Sequence, residues 1–407
     1  MRRSCWSLVA LLVAVIGALF SLASETQPVK AADGEAHARI SFAPAITEIS
    51  PVLYPQSIAA GDLNHDGRAD LGVVGEEYGG LCTTLDPLSL AISNKWDCTQ
   101  PAGDAPEQVI FADVNGDGNL DEVTTDVDLP VTVVGFGDGH GRFPKGAGLR
   151  SGVCGYASWQ GAVADLNGDG IPDIVVTVLG QAGNPGCLAV FMGQGNRKFA
   201  KAQTISSGGS HPYSVAIGDL NNDGIPDLVV ANFGTQSNGD YGNLAVLLGN
   251  GDGTFRKPIR HVGLHDPKLV ILADFNDDRN LDVAVLDNGG NAVWIALGKG
   301  DGTFLPAARF PAGYAPISVV AADLNGDGIM DLAVSNFANP KPCYVSVLVG
   351  NGDGTFQKPA HFAVGVSPAQ VVAADFNGDG KPDLATINEG STISILLNTT
   401  PSPSPRQ

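Results

Sequence analysis

Basic residues are scarce. The 407-residue sequence carries 23 Lys and Arg against 43 Asp and Glu, for a formal net charge of −20. Binding a phosphate backbone relies on clustered cations that displace counterions, so nucleic acid is excluded as a partner class. Long apolar runs are equally rare. Leu8 to Phe20 is the one extended run, at 13 residues, and falls short of the ~20 needed to cross a bilayer. Arg2 and Arg3 precede it and Ser21-Leu22-Ala23 follows, so residues 1–23 read as an export signal, with 24–38 a linker. The expected product is secreted or held in the cell envelope, with no membrane span after signal cleavage.

Catalytic motifs are missing too. There is no G-x-S-x-G elbow, no H-E-x-x-H and no phosphate loop. The seven histidines (His37, His65, His140, His211, His261, His265 and His361) show no metal-ligand spacing. No catalytic residue is therefore assigned. A polysaccharide lyase or hydrolase is the alternative reading, with Asp126, Asp128 and Asp240 as its available carboxylates, and a scaffold subunit of a surface complex is a third. Cysteines number six. Once Cys5 leaves with the signal an odd set remains, so at least one is unpaired. Cys82 and Cys98 bracket an irregular insertion and are expected to pair, as are Cys154 and Cys187, which leaves Cys343.

What the chain has in abundance is a repeat. A nonapeptide recurs seven times: DLNHDGRAD from Asp62, DVNGDGNLD from Asp113, DLNGDGIPD from Asp165, DLNNDGIPD from Asp219, DFNDDRNLD from Asp274, DLNGDGIMD from Asp323 and DFNGDGKPD from Asp375. Successive copies start 49 to 55 residues apart, a period that points to a propeller or solenoid. Short Val/Ile/Leu-rich stretches flank each copy, such as SVAIG (Ser214 to Gly218) and LVVAN (Leu228 to Asn232). A third stretch, LAVLLG, runs from Leu244 to Gly249; the glycine turn GNGDGTF spans Gly249 to Phe255, and a weaker fourth stretch follows. Runs this short, punctuated by Gly, Asn and Pro, are buried β-strands. Four per unit make one antiparallel propeller blade.

A proline lies seven residues before the first Asp in six units (Pro55, Pro106, Pro212, Pro267, Pro316 and Pro368), suited to a strand start that needs no N–H donor. The seventh unit lacks a fourth strand, and Arg39 to Thr47 (RISFAPAIT) resembles the missing piece. The predicted fold is all-β: one seven-bladed propeller over residues 39–399, closed by the N-terminal strand, with 400–407 a disordered Pro/Ser tail. Asn398-Thr399-Thr400 also fits a glycosylation sequon.

Oxygen-bearing side chains at positions 1, 3, 5 and 9, with glycine at 6, describe a calcium loop; position 7 adds its backbone carbonyl. The first loop offers Asp62, Asn64, Asp66, Arg68 and Asp70; the second Asp113, Asn115, Asp117, Asn119 and Asp121. The third offers Asp165, Asn167, Asp169, Ile171 and Asp173; the fourth Asp219, Asn221, Asp223, Ile225 and Asp227. The fifth has Asp274, Asn276, Asp278, Asn280 and Asp282; the sixth Asp323, Asn325, Asp327, Ile329 and Asp331; the seventh Asp375, Asn377, Asp379, Lys381 and Asp383. An EF-hand is excluded, because position 12 is Val or Thr where that loop needs Glu. In the fifth copy Arg279 replaces the glycine, which predicts a strained site. Up to seven structural Ca²⁺ ions are expected, and they would bring the formal charge from −20 to about −6.

These residues resemble the FG-GAP/VCBS repeats found in integrin α-subunit propellers and many exported bacterial proteins; YSVAIGDLNNDGIPDLVVAN (Tyr213 to Asn232) lies close to that pattern. The name-giving Phe-Gly and Gly-Ala-Pro segments are absent, which places the sequence with the bacterial-type branch. The resemblance implies a calcium-bearing scaffold for adhesion or glycan binding. In such a blade the aspartate loops and glycine turns share one face, and the opposite face carries the variable loops. Tyr54, Tyr156, Trp159, Tyr213, Tyr241 and Tyr314 gather there by this alignment. They are the candidate contacts for a glycan or protein ligand, in a chain expected to be monomeric.

Overall fold

The computed structural model describes residues 40–401, apart from 76–77, 90–95, 153, 182–183, 236–239, 262–263, 265, 288 and 338–342. The expected export signal and linker lie outside the described residues, as do Arg39, His37, His265 and the tail beyond Pro401. Among the described residues no helix is long and apolar enough to cross a membrane.

Seven four-stranded antiparallel sheets follow one another along the chain. Blade 1 spans 55–101, blade 2 106–150, blade 3 157–205, blade 4 212–261, blade 5 270–311 and blade 6 316–363. Blade 7 takes three strands from 368–396 and its fourth from Ile46–Ile49 at the other end of the chain. That strand pairs with Thr392–Leu396 in the register Ile46↔Ile395, Thr47↔Ser394, Glu48↔Ile393 and Ile49↔Thr392. Closure by the N-terminal strand is thus as predicted, displaced a few residues along the chain. Arg39–Thr47 contributes its end to the ladder and, upstream, only a bridge from Phe42 to Asn398, because Pro44 interrupts the pairing.

Burial follows strand position. The second strand of each blade is sandwiched by neighbouring blades and is buried along nearly its whole length, as in Asp227–Asn232 and Asp331–Asn336. Its unbroken apolar run reflects two covered faces. The fourth strand is the outer edge and is mostly exposed, as in Lys145–Arg150 and Ala308–Pro311, which is why its pattern is weak in the sequence. Blade-to-blade cores interlock Val229, Val246, Val283 and Phe304 between blades 4 and 5. Ile58, Val73, Phe376, Ile387 and Ile393 do the same between blades 1 and 7.

The first strands are also stitched across blades by side chains accepting backbone N–H bonds. Ser57 Oγ accepts from Val109 (3.0 Å), Gln108 Oε1 from Gly161 (2.6 Å), Ser214 Oγ from Val270 and Ser318 Oγ from Val371 (both 3.3 Å). Gln370 Oε1 accepts from Ile58 at 2.9 Å and completes the circle from blade 7 to blade 1. Five of the six prolines begin a strand as expected (Pro55, Pro106, Pro212, Pro316 and Pro368), while Pro267 stands ahead of Val270–Ala273.

Two disulfides join Cys82 to Cys98 and Cys154 to Cys187, the two pairs expected from the sequence. Cys343 is buried, and its Sγ accepts a hydrogen bond from the Ser367 amide at 3.5 Å. Two expectations at the C-terminal end need correction. Thr400 is not part of a loose tail: it is 2% exposed, and Ser41 donates its amide to Thr400 Oγ1 at 3.0 Å. Asn398 is likewise unavailable as a glycan acceptor in the folded protein. Its Nδ2 donates to Leu324 O (2.8 Å) and Pro382 O (2.9 Å), and the residue is 2% exposed.

Candidate functional site

Each aspartate loop links the first and second strands of its blade, and its hydrogen bonds repeat through the set. The position-1 carboxylate caps the turn: its Oδ2 accepts the N–H of position 6 at 2.7–2.9 Å in all seven loops. The position-5 Asp Oδ1 accepts the N–H of position 7 at 2.8–3.0 Å. Asn at position 3 donates from Nδ2 to the position-5 Asp in loops 1, 3, 4, 5 and 7. In loop 2 Asn115 instead donates to both oxygens of Asp121, at 3.0 and 2.8 Å.

The position-9 aspartates do something the motif alone did not reveal. Their Oδ2 accepts the N–H of position 2 at 2.8–3.1 Å in every loop. In blades 2 to 7 their Oδ1 also accepts the N–H that opens the turn after the third strand: Gly137, Gly193, Gly249, Gly298, Gly350 and, in blade 7, Asn398, at 2.6–2.9 Å. One carboxylate thus clamps both turns on the same face of the blade. The first unit lacks the glycine turn, and there the buried Asp70 Oδ1 has no hydrogen-bond partner among the described residues.

These carboxylates sit in surroundings hostile to their own charge. Burial, and then the neighbouring aspartates of the same loop, push Asp70 and Asp331 up to about 7 and Asp282 and Asp383 up to about 6. Asp121, Asp173 and Asp227 are raised too, burial again leading. Among the described residues, no group of three or more His, Cys, Asp or Glu side chains closes on a single point as a metal centre. The oxygen set still has the chemistry a hard cation takes: three carboxylates, an amide and a main-chain carbonyl within nine residues, with a buried orphan oxygen at Asp70.

Position 6 is left-handed in every loop, with φ between 70° and 87°. At the six glycines a Cβ would meet nothing within 4 Å in five and in the sixth, Gly67, likewise nothing, so space is free and only the backbone conformation restricts the residue type. Arg279 adopts the same turn at φ 70° and still donates to Asp274 Oδ2 at 2.7 Å. The fifth loop keeps its shape and carries the strain predicted for it. Arg279→Gly is expected to raise stability by about 1 kcal/mol, measured as a shift of the urea midpoint at unchanged slope; a loss of stability would show that the arginine side chain contributes contacts of its own.

The opposite face carries the connections from second to third strands and from blade to blade. Of the six aromatic candidates, Tyr54, Tyr156, Tyr241 and Tyr314 are 46–56% exposed there. Ile49, Leu53, Leu129 and Val366 are also exposed on this face. Trp159 and Tyr213 differ: they are half-buried and pack on one another across blades 3 and 4, with ring centroids 4.9 Å apart. Phe233, not singled out in the sequence, lies 6.0 Å beyond Tyr213. Asp126 and Asp240 hold turns, Asp126 through the amides of Asp104, Asp128 and Leu129 and Asp240 through that of Thr235. A cavity of about 630 Å³ lies elsewhere, at the outer rim between blades 4 and 5, lined by Leu244, His261, Trp294 and Phe304 among others. Its lining contains no acidic residue and reaches Lys299 and Phe304 in the turn after the third strand.

A closed ring of seven four-stranded blades, each with an aspartate loop between its first two strands, defines the class: a seven-bladed β-propeller of aspartate-loop repeats. The FG-GAP-like repeat pattern matches residues 113–176, 165–230, 274–334 and 337–386, more than half the chain, and the protein belongs to the FG-GAP-like repeat family. Similar solved structures include BBS1N in complex with ARL6DN, at 13% identity over 89% of this chain and 98% of that one, with a TM-score of 0.61. Another is an Agrocybe aegerita lectin described for specific recognition of non-reducing terminal N-acetylglucosamine, at 18% identity over 88% and 86%, with a TM-score of 0.50. At such identities they share the fold with this chain. No curated protein sequence matches it.

Proposed function

We propose that the protein is an exported, calcium-stabilised binding module that engages a glycan or protein ligand through the face opposite its aspartate loops. The observation that carries this reading is the one-sided distribution of exposed apolar side chains. Tyr54, Tyr156, Tyr241 and Tyr314, with Ile49, Leu53, Leu129 and Val366, make up most of the large apolar residues left in water, and all belong to that face. Apolar exposure concentrated in this way marks interaction surfaces rather than ordinary solvated ones. Tyrosine suits both ligand classes, offering a flat apolar ring with a hydroxyl at its tip. The similar folds of a lectin and of a propeller in complex with a protein are compatible with either ligand.

Calcium is assigned to the opposite face for a physical reason. Seven sets of three aspartates repel one another; Arg68 pairs with Asp66 at 3.3 Å and Arg197 with Asp117 at 3.2 Å, each touching one carboxylate of its loop, and a divalent cation would offset the repulsion that remains. The residues that would hold it are those at positions 1, 3, 5, 7 and 9 of each loop, and the ion would neutralise charge and brace the turn. The two disulfides fit an oxidising compartment, in keeping with export.

The test is a glycan and protein array probed with the intact protein and with Tyr156→Ala/Tyr314→Ala. A ligand retained by the intact protein and weakened at least tenfold by the double substitution supports the reading. Binding unaffected by the substitutions, or no ligand at all in calcium-containing buffer, overturns it.

A further inference from the structure

In every unit the residue six before the first aspartate of the loop stands at the same place: Gln56, Glu107, Trp159, Tyr213, Lys268, Ile317 and Ala369. Each is partly exposed, whereas the residue before it is buried in all seven blades. In six blades the ladder between first and second strands is irregular at this point, for example between Pro212 and Ser214 or Ser158 and Gly161. A bulge of this kind re-aims the residue it contains. Because the first strands form the innermost circle, these seven residues ring the axis on the face away from the aspartate loops.

The ring is not uniform. Four successive blades place Glu107, Trp159, Tyr213 and Lys268 side by side. The Lys268 ammonium lies over two aromatic faces, 5.9 Å from the Tyr213 centroid and 5.7 Å from that of Phe233. Among the described residues no carboxylate comes within ion-pair distance of it. Burial pulls the amine below its usual range, and Asp266 acts on it only through its charge. Burial, then the charge of Glu107, pushes the Tyr213 phenol well up; in blade order Glu107 comes next to Trp159, on the side away from Lys268. A cation held between rings in a low-dielectric setting, with no anion of its own in contact, is a costly arrangement that an anionic ligand would relieve.

We infer that this arc of the axial mouth is a subsite for an acidic sugar, a hexuronate unit whose carboxylate pairs with Lys268 while its ring lies along Trp159 and Tyr213. The order around the ring matches such a ligand. A hexuronate carries its carboxylate at one end and vicinal hydroxyls at the other; Lys268 meets the first, and the hydroxyl end extends past Trp159 towards the blade that carries Glu107. The C–H face of a pyranose stacks on an aromatic ring, and a neutral hexose would leave the lysine unpaired. This subsite rests on the reading of that face as a ligand-binding surface and narrows its ligand to a charged glycan.

The experiment is calorimetric titration of the full-length exported protein, in calcium, with a galacturonate trisaccharide and with the galactose trisaccharide as neutral counterpart. Saturable binding of the acidic trimer, at least tenfold tighter than the neutral one, is expected. Lys268→Met, which keeps the apolar stem, should weaken the acidic trimer at least tenfold at an unchanged melting temperature, and Lys268→Arg should retain it within about threefold. Failure of the acidic trimer to bind, or equal binding by Lys268→Met, overturns the subsite. A Lys268→Met protein that unfolds early leaves Lys268→Arg and the acidic-to-neutral ratio to decide. If an array ligand depends on Tyr156 and Tyr314 but ignores Lys268→Met, the binding face stands and the acidic subsite falls.

Discussion

Chelation with EDTA is expected to lower the melting temperature by about 10 °C, and excess calcium to restore it. At ten times Kd each bound ion stabilises the folded chain by about 1.4 kcal/mol, so seven sites together supply about 10 kcal/mol. For a ring of this size the unfolding entropy near the midpoint is about 0.75 kcal/mol per degree, which sets the scale of the shift. The pH dependence gives the same experiment a sign. Without metal, burial pushes Asp70 and Asp331 up to about 7 and Asp282 and Asp383 up to about 6, against about 4 in the unfolded chain. A carboxyl raised on folding binds its proton more tightly in the folded state. Its stabilising contribution is present below about pH 4 and is lost as pH rises through 6 to 7. The chelated protein should therefore melt at a lower temperature at pH 8 than at pH 5. Calcium, which needs the ionised carboxylates, should recover most at pH 8. Scanning calorimetry at both pH values, with and without the ion, checks this. An unchanged melting temperature on chelation, with no heat when calcium is added, removes the metal from the account.

Removal of residues 1–49 should be more damaging still. The deletion strips the outer strand from blade 7 and with it the pairing of Ile46–Ile49, the Ala43-to-Leu397 hydrogen bond at 2.9 Å and the Thr47–Ser394 hydroxyl contact at 3.0 Å. It also removes Ile40 and Phe42, which pack with Val345, Val347, Leu384 and Leu396 between blades 6 and 7. Six or so hydrogen bonds at about 1 kcal/mol each, with two apolar side chains at about 2 kcal/mol each, make this several kcal/mol, comparable to the whole stability of many domains. The bare edge of Thr392–Leu396 would then template pairing with other chains. Loss of the cooperative transition and concentration-dependent aggregation are expected by calorimetry and light scattering. A truncated protein that melts within a few degrees of the intact one would show that the ring does not depend on this clasp.

The repeat was legible because its signal is local. Strand, loop and turn each recur within one 50-residue unit, and an apolar run such as Leu228 to Ala231 announces burial on both sides by its composition. The closing strand was legible too, through the missing fourth piece of the last unit, although its register was set by Pro44 and by Asn398, which no repeat consensus contains. What remained hidden was non-local. The second oxygen of Asp331 reaches a glycine amide 19 residues away, and nothing in a nine-residue motif points to that. The contact of Tyr213 with Lys268 joins two blades. Its signal lies in one position, six residues before the first aspartate, compared across all seven units. The Asn398 side chain of the sequon is likewise engaged non-locally, by two carbonyls supplied by blades 6 and 7.

The clasp has a geometric consequence for how the molecule is held. Thr399 donates its amide to Ser41 O at 2.9 Å, and the neighbouring Asn398 amide reaches the position-9 Asp383. Both ends of the described chain therefore leave from adjoining points on the rim beside the aspartate loops. A leash attached at either end would orient the molecule identically, turning the tyrosine-bearing side outward, away from whatever it is moored to.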